Sequence, residues 1–225
     1  MGFTIEYYND IALIKEDTHI SKWVKESGRL DHDQNSLPII MREIKIGSVV
    51  FDVGAMIGDH TIAYANKAHV VAFEPNPIAF ECLVHNMKNK GVTCHNLALS
   101  DTKKRIDIVY PNDNVGMAYS VADNDGMILC TTIDDYVRDY GIVPDLCKFD
   151  CEGEEFKILL GGSETIKKHH PKLVLEVNEG ALERAGTSRK ELFDLLDSYG
   201  YIYRDLYNKP LSSLSIQFDI ICTKR

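Results

Sequence analysis

Long apolar runs are missing from this chain: no stretch approaches the ~20 consecutive apolar residues that a membrane-spanning helix requires. A basic surplus is missing too. The formal net charge is -9 and no run of Lys or Arg marks a basic face, which weighs against DNA or RNA as a partner. The opening MGFTIEYYND lacks the basic-then-apolar order of a secretory signal, and Glu6 stands where a myristoylation signal carries Ser or Thr. The six cysteines (82, 94, 130, 147, 151 and 222) include no C-x-x-C pair, and no zinc-spaced histidine pair accompanies Cys147 and Cys151. They read as reduced, mostly buried thiols. No internal repeat, low-complexity tract or proline-rich linker divides the chain. These absences lead to the expectation of a cytoplasmic, soluble protein with one sizeable core.

What is there is alternation. Residues 1–47 read as an N-terminal helical extension, with an amphipathic helix around HISKWVKESGRL and a second over LPIIMREIK. From residue 48 to 225 strand and helix patterns take turns. SVVFDV, VVAFE, VTCHNLAL, DLCKFD and PKLVLEVN read as strands, and the segments between them carry helical spacing. KKRIDIVYP reads as half of a hairpin, Thr132 as a helix cap, and NDNVGMAYSVADNDG as a long loop over the sheet. Repeated strand–helix units imply an α/β, doubly wound, mostly parallel sheet covered on both faces, with ligands beyond the carboxyl ends of the strands. YIYRDLY and SIQFDIICTK follow one another without a helix between, so this C-terminal pair forms an antiparallel hairpin.

The turn after the first sheet strand, Gly54-Ala55-Met56-Ile57-Gly58, puts methionine where a dinucleotide fingerprint needs its second glycine, and no Gly-Lys-Ser/Thr of a phosphate loop follows. Asp52 just before that turn would repel a pyrophosphate and stabilise an ammonium or sulfonium. Glu74, 22 residues further on at the end of the second strand, is placed to accept both hydroxyls of a ribose. The set points to a nucleoside cofactor without phosphates.

The segments FDVGAMIGDHT, VVAFEPNP, NLALSD, TTIDDYV, KFDCEGEEFKILLGG and PKLVLEVN resemble, in order and spacing, FkbM-type O-methyltransferases over about Gly28 to Asn178. The resemblance implies a class I methyltransferase, Rossmann-like domain over 48–225, with S-adenosyl-L-methionine as cofactor. It also implies a hydroxyl acceptor on a sugar, oligosaccharide or small natural product. It assigns Asp52, Gly54, Ala55, Met56, Gly58 and Thr61 to the methionine half of the cofactor, Glu74 to the ribose, and Pro75, Asn76, Asn96 and Ala98 to the adenine. Met56 departs from the asparagine that relatives commonly carry. An acidic position in the extension corresponds to Asp31 or Asp33.

Asp150, Glu152 and Glu176 are the candidate catalytic acids. Asp150 and Glu176 each interrupt an apolar strand near its carboxyl end. Methyl transfer is an in-line displacement, so the protein mainly aligns the hydroxyl and removes its proton. Burial and neighbouring negative charge are expected to raise the pKa of the carboxylate that does so. The same three acids would hold Mg²⁺ or Mn²⁺ if the reaction were metal-assisted. Glu154 and Glu155 read as partners of a helix N-terminus, and His169-His170 as cations complementing a helix C-terminus. His60 lies beside the cofactor, His32 reads as an exposed turn residue, and Met117, Tyr119 and Ser120 are candidates for the acceptor pocket. Two other readings remain: an NAD-binding oxidoreductase using Glu74, and a cofactor-binding module without activity. An amino-group methyltransferase would carry Asn/Asp-Pro-Pro-aromatic where this chain has Asp-Cys-Glu-Gly.

Overall fold

The computed structural model describes residues 2–111, 115–116, 118–123, 125–210 and 216–225. The N-terminal segment is not purely helical. It opens with a hairpin, β1 (Ile5–Tyr8) and β2 (Ile11–Ile14), before α1 (Ile20–Ser27) and α2 (Leu37–Glu43). IEYYNDIALI is too short for a helical stripe, and Asn9 and Asp10, both at positive φ, make the two-residue turn.

The sheet segments follow in the expected sequence: β3 (Val49–Val53), α3 (Thr61–Tyr64), β4 (His69–Phe73), α4 (Pro77–Asn86) and β5 (Thr93–His95). Four short strands then form a separate sheet: β6 (Ala98–Leu99), β7 (Lys104–Val109), β8 (Tyr119–Ala122) and β9 (Ile128–Thr131). Within the stretch read as a loop, β8 is therefore a strand, pairing antiparallel with β7. VTCHNLAL is split between the two sheets, since β5 pairs with β4 and β6 with β9. The chain returns through α5 (Ile133–Tyr140), β10 (Leu146–Phe149), α6 (Glu155–Gly161), α7 (Ser163–His169), β11 (Lys172–Asn178), α8 (Glu179–Arg184), α9 (Arg189–Ser198), β12 (Tyr201–Asp205) and β13 (Gln217–Lys224). Thr132 caps α5 as expected, its hydroxyl oxygen accepting from the Asp135 amide at 2.9 Å, a contact that stabilises a helix start by about 1 kcal/mol.

The seven-stranded sheet runs β12-β13-β11-β10-β3-β4-β5, parallel except that β13 is antiparallel to both its neighbours. The strand order reverses beside β3, where a doubly wound sheet opens its crevice. Period-two alternation divides the strands between two cores. Phe51, Val53, Cys147, Phe149, Leu173 and Leu175 face one layer, with Tyr136, Leu159 and Leu192 from the helices packed on them. Phe51, Phe73 and Tyr136 meet edge to face at 5.0–5.5 Å, each pair adding about 0.5–1.5 kcal/mol beyond burial. Val50, Val70, Leu146, Val174 and Ile221 face the other layer, against Leu37 and Ile40 of α2 and Tyr64 of α3. Among the described residues, no helix is long and apolar enough to cross a membrane.

Candidate active site

Two positions above the apolar row of that second face, the strands turn polar. Asp52 on β3 lies in register with Lys148 on β10, and Glu176 on β11 with Asp219 on β13. These four share the sheet face of Val50, Leu146, Val174 and Ile221, because each follows one of those residues by two positions or, on the antiparallel strand, precedes it by two. Asp150 stands just past the end of β10. The row of charges therefore crosses the sheet at the carboxyl ends of its parallel strands.

On the β4 side, the turn after β3 is held by backbone. Gly54 has φ +82°, and a Cβ there would lie 1.9 Å from the Asp150 carbonyl oxygen. Only glycine permits that approach. Met56 also sits at positive φ, +49°, a conformation that asparagine adopts with less strain. The Met56 amide donates to Glu74 Oε2 at 2.7 Å and the Asn76 amide to Oε1 at 2.8 Å. Glu74 is thus clamped at the cavity wall with one lone pair of each oxygen taken. Burial pushes its pKa up to about 7 against those two hydrogen bonds, and Asp52 and Asp150 add to the rise. Pro75, Asn76, Leu97, Ala98 and Leu99 continue the wall of this largely apolar cavity, which Glu152 and Glu154 border opposite.

Thr61 and Asn96 stand one layer behind. The Thr61 hydroxyl donates to Asp52 Oδ2 at 2.5 Å, and Asn96 Nδ2 donates to the carbonyls of Glu74 and Pro75 at 2.8 and 2.9 Å. Gly58 makes room for Met87 and Leu83, whose side chains a Cβ would meet at 2.8 and 2.9 Å. Ala55 and Met56 border a smaller pocket with Asp52, Asp59, His60, Lys148 and Asp150.

Lys148, which sequence reasoning passed over, donates to Asp150 Oδ2 at 2.9 Å from an almost buried position. Burial opposes its charge, but Asp150 and Asp52 outweigh that and hold its pKa well above the usual lysine value. In turn Lys148 overcomes the burial of Asp150 and holds that carboxyl below its ordinary value. The expectation of a raised pKa at Asp150 is thereby corrected, because a cation from the same strand faces it. The raised acids are its neighbours. Burial and the Asp150 charge push Glu176 up to about 9, although Gln217 Nε2 donates to its Oε1 at 2.6 Å, and they push Asp219 to about 6. Burial lifts Asp52 too, with Lys148 opposing.

Beyond Asp150 on the β11–β13 side, a wider cleft is walled by Lys148, Glu176 and Asp219 below and by Trp23, His32 and Asp33 of the N-terminal segment above. Of the two acids in the extension, Asp33 is the one that borders the cleft, and it accepts from His60 Nε2 at 3.2 Å and from the Asn35 and Ser36 amides. Although burial opposes it, these bonds hold its carboxyl well below the ordinary value, and Asp33 in turn raises His60. Asp31 instead pairs with Arg29 at 2.7 Å on the surface. His32 is not a bare turn residue, since its ring lies 5.4 Å from that of Trp23. Trp23 and Asp219 were invisible as site residues. SIQFDIICTK does show an acid breaking an apolar strand, but only the pairing sets Asp219 directly opposite Glu176.

The three candidate acids are not gathered at one point. Glu152 borders the first cavity, where Arg184 approaches it at 3.5 Å, and Glu176 borders the cleft, while Asp150 lies on both. Among the described residues no group of three His, Cys, Asp or Glu is arranged to hold a metal ion. Asp150, Glu152 and Glu176 are thus not brought together as one ligand set for Mg²⁺ or Mn²⁺. Glu155 accepts from the Cys151 amide at 2.8 Å at the start of α6, and Glu154 pairs with Lys157, both in keeping with a helix N-terminus. Tyr119 and Ser120 line the first cavity rather than the cleft, and Met117 lies outside the described residues.

Comparison with known proteins bears on the family and the fold. The family model described as the methyltransferase FkbM domain matches residues 52–203. The hexuronic acid methyltransferase AglP of Haloferax volcanii is 27% identical over 152 residues, which are 66% of this chain and 63% of that protein. The crystal structure of an FkbM methyltransferase from Methylobacillus flagellatus superposes with a TM-score of 0.56 at 19% identity, over 89% of this chain and 52% of that one. A magnesium protoporphyrin IX methyltransferase from Synechocystis, solved with bound S-adenosylmethionine, gives 0.51 at 10% identity over 93% and 86%. The chain thus spans under two thirds of the first two relatives' length. From residue 52 to 203, the chain belongs to the FkbM methyltransferase family.

Proposed function

We propose that this protein is an S-adenosylmethionine-dependent O-methyltransferase whose acceptor is a hydroxyl of a sugar or a similarly hydroxylated small molecule. One observation carries the reading: the apolar cavity beside Glu74, the acid-rich pocket beside Asp52 and the wide cleft beside Trp23 all share Asp150. Nucleoside, aminoacyl sulfonium and acceptor would occupy them in that order. Asp52 and Asp59 favour a cationic ligand in the middle pocket and disfavour a pyrophosphate, which speaks against NAD.

When bound, the cofactor would supply a methyl group already activated as a sulfonium, so that the electron pair of the carbon–sulfur bond would go to sulfur as the acceptor oxygen bonds to carbon. Asp150 accepts the hydrogen bond of that hydroxyl and takes its proton. The proton grows acidic as the new bond forms, so a carboxylate held ionised by Lys148 suffices as base. Glu176, with its pKa at about 9, stays protonated at neutral pH, and its Oε2, without a partner among the described residues, presents a donor to another acceptor oxygen. The sugar character of the acceptor draws support from the AglP relative and from the exposed indole of Trp23 beside these polar groups.

Calorimetric titration with S-adenosylmethionine, S-adenosylhomocysteine and NAD tests the reading. Micromolar binding of the first two and none of NAD is expected; binding of NAD alone would sink it.

A further inference from the structure

Asn76 carries an amide nitrogen with nothing to bond. The residue is 3% exposed, and its Nδ2 has no hydrogen-bond partner among the described residues. Its other polar atoms are all engaged. The backbone amide donates to Glu74 Oε1 at 2.8 Å, and Oδ1 accepts from the Ile78 amide at 3.2 Å, capping α4. The second lone pair of Oδ1 accepts from the Tyr110 hydroxyl at 3.1 Å. Exchanging Oδ1 and Nδ2 would set an NH₂ against the Ile78 N–H, which cannot accept, so the orientation of the amide is fixed. Two donors on Oδ1 also polarise the amide and strengthen Nδ2 as a donor.

A buried donor left unpaired is costly, and native proteins seldom tolerate one without a use. Asn76 lines the apolar cavity beside Glu74. What completes it is a ligand atom with a lone pair, next to whatever Glu74 holds. Glu74 suits ribose hydroxyls, and the neighbouring walls of Leu97, Ala98 and Leu99 suit a flat apolar ring. The acceptor on a purine closest to its ribose is the ring nitrogen N3. The backbone amide of residue 76 cannot serve it, being held by Glu74.

We infer that Asn76 Nδ2 reads this ring nitrogen of the bound purine nucleoside, and that Tyr110 is the positioning residue that fixes the amide for the purpose. The inference rests on the nucleoside-cofactor reading above. Tyr110 is anchored for the task from outside the cavity, its ring packed on Phe3 at 4.8 Å, so the N-terminal segment buttresses base recognition.

The test is calorimetry with S-adenosylhomocysteine and its 3-deaza analogue, in which C–H replaces N3. Wild type should prefer the natural ligand by about tenfold, the scale of one buried hydrogen bond. Tyr110→Phe should weaken S-adenosylhomocysteine several-fold and leave the analogue unchanged, so that discrimination shrinks. Asn76→Ser keeps a capping oxygen and removes the NH₂, and should bind both ligands equally. A merely structural role for Tyr110 would weaken both ligands alike, which would overturn the inference, as would a wild type that fails to distinguish them. A wild type that binds neither ligand would remove the cofactor reading itself, and this inference with it.

Discussion

On the β4 side of Asp150 the cavity wall is made by the main chain: two amides clamp Glu74, a glycine lets the β3 turn touch the end of β10, and Asn96 braces the loop from behind. On the β11–β13 side the wall is made by side chains from distant segments. Trp23 and Asp33 come from the N-terminal segment, and Glu176 and Asp219 from a cross-strand pair. Backbone geometry suits a ligand that never changes, as a cofactor does. Side-chain walls can be exchanged one residue at a time without disturbing the turn, which suits an acceptor that differs between relatives. If this division is real, substitutions on the first side should cost folding and cofactor together. Those on the second should spare both.

The largest effect is expected at Gly54. Gly54→Ala puts a methyl group against a backbone carbonyl at a φ that L-residues rarely adopt, with no flexible side chain to yield. A loss of about 3 kcal/mol or more, with abolished S-adenosylhomocysteine binding, should appear in denaturant melts and calorimetry. Near-normal stability would mean that β3 and β10 are not locked together. Next comes Asp150→Asn at the junction, expected to lower turnover about 10²–10³-fold while cofactor affinity changes by less than about threefold. Unchanged turnover would remove Asp150 as the base.

The third concerns pH. Glu176 has a folded pKa of about 9, above its ordinary 4.5, so the folded state binds the extra proton and the unfolded state does not. Stability contributed by this group is complete below about 4.5 and declines as pH rises toward 9. Glu176→Gln keeps an acceptor for Gln217 and cannot ionise. It should match wild type in thermal melts at pH 5 and become progressively more stable than wild type as pH rises to 8. A variant equally shifted at both pH values would show that the proton is not what matters.

The same division governs what the sequence disclosed. The β3 turn and Glu74 were legible because their chemistry is local: the turn spans five residues, and an acid at a strand end announces itself. The mostly parallel sheet and its antiparallel C-terminal pair followed from connection lengths, whereas the strand order did not. The N-terminal hairpin and β8 were missed, since four-residue strands carry little periodic signal and gain their stability from packing on distant segments such as α4. Lys148 escaped because one lysine in DLCKFD reads as a solvated strand position. Its role appears only when register sets it beside Asp52.

The smallest effect, and the sharpest test of the acceptor side, is at Trp23. The chain's single tryptophan is 45% exposed, with the His19 and His32 rings 5.9 and 5.4 Å away. Trp23→Ala removes little buried surface and should change stability by less than about 0.5 kcal/mol. Cofactor affinity should be untouched, because the indole borders the cleft and not the cavity beside Glu74. The acceptor KM should rise about 3–10-fold with kcat unchanged, the pattern of binding that is equal in ground and transition states. An acceptor stacked on the indole should also quench its fluorescence in wild type, whereas S-adenosylhomocysteine alone should not. Weaker cofactor binding in the variant would mean that the N-terminal segment serves both ligands, and the separation of the two sides would fail at the residue where it should be cleanest.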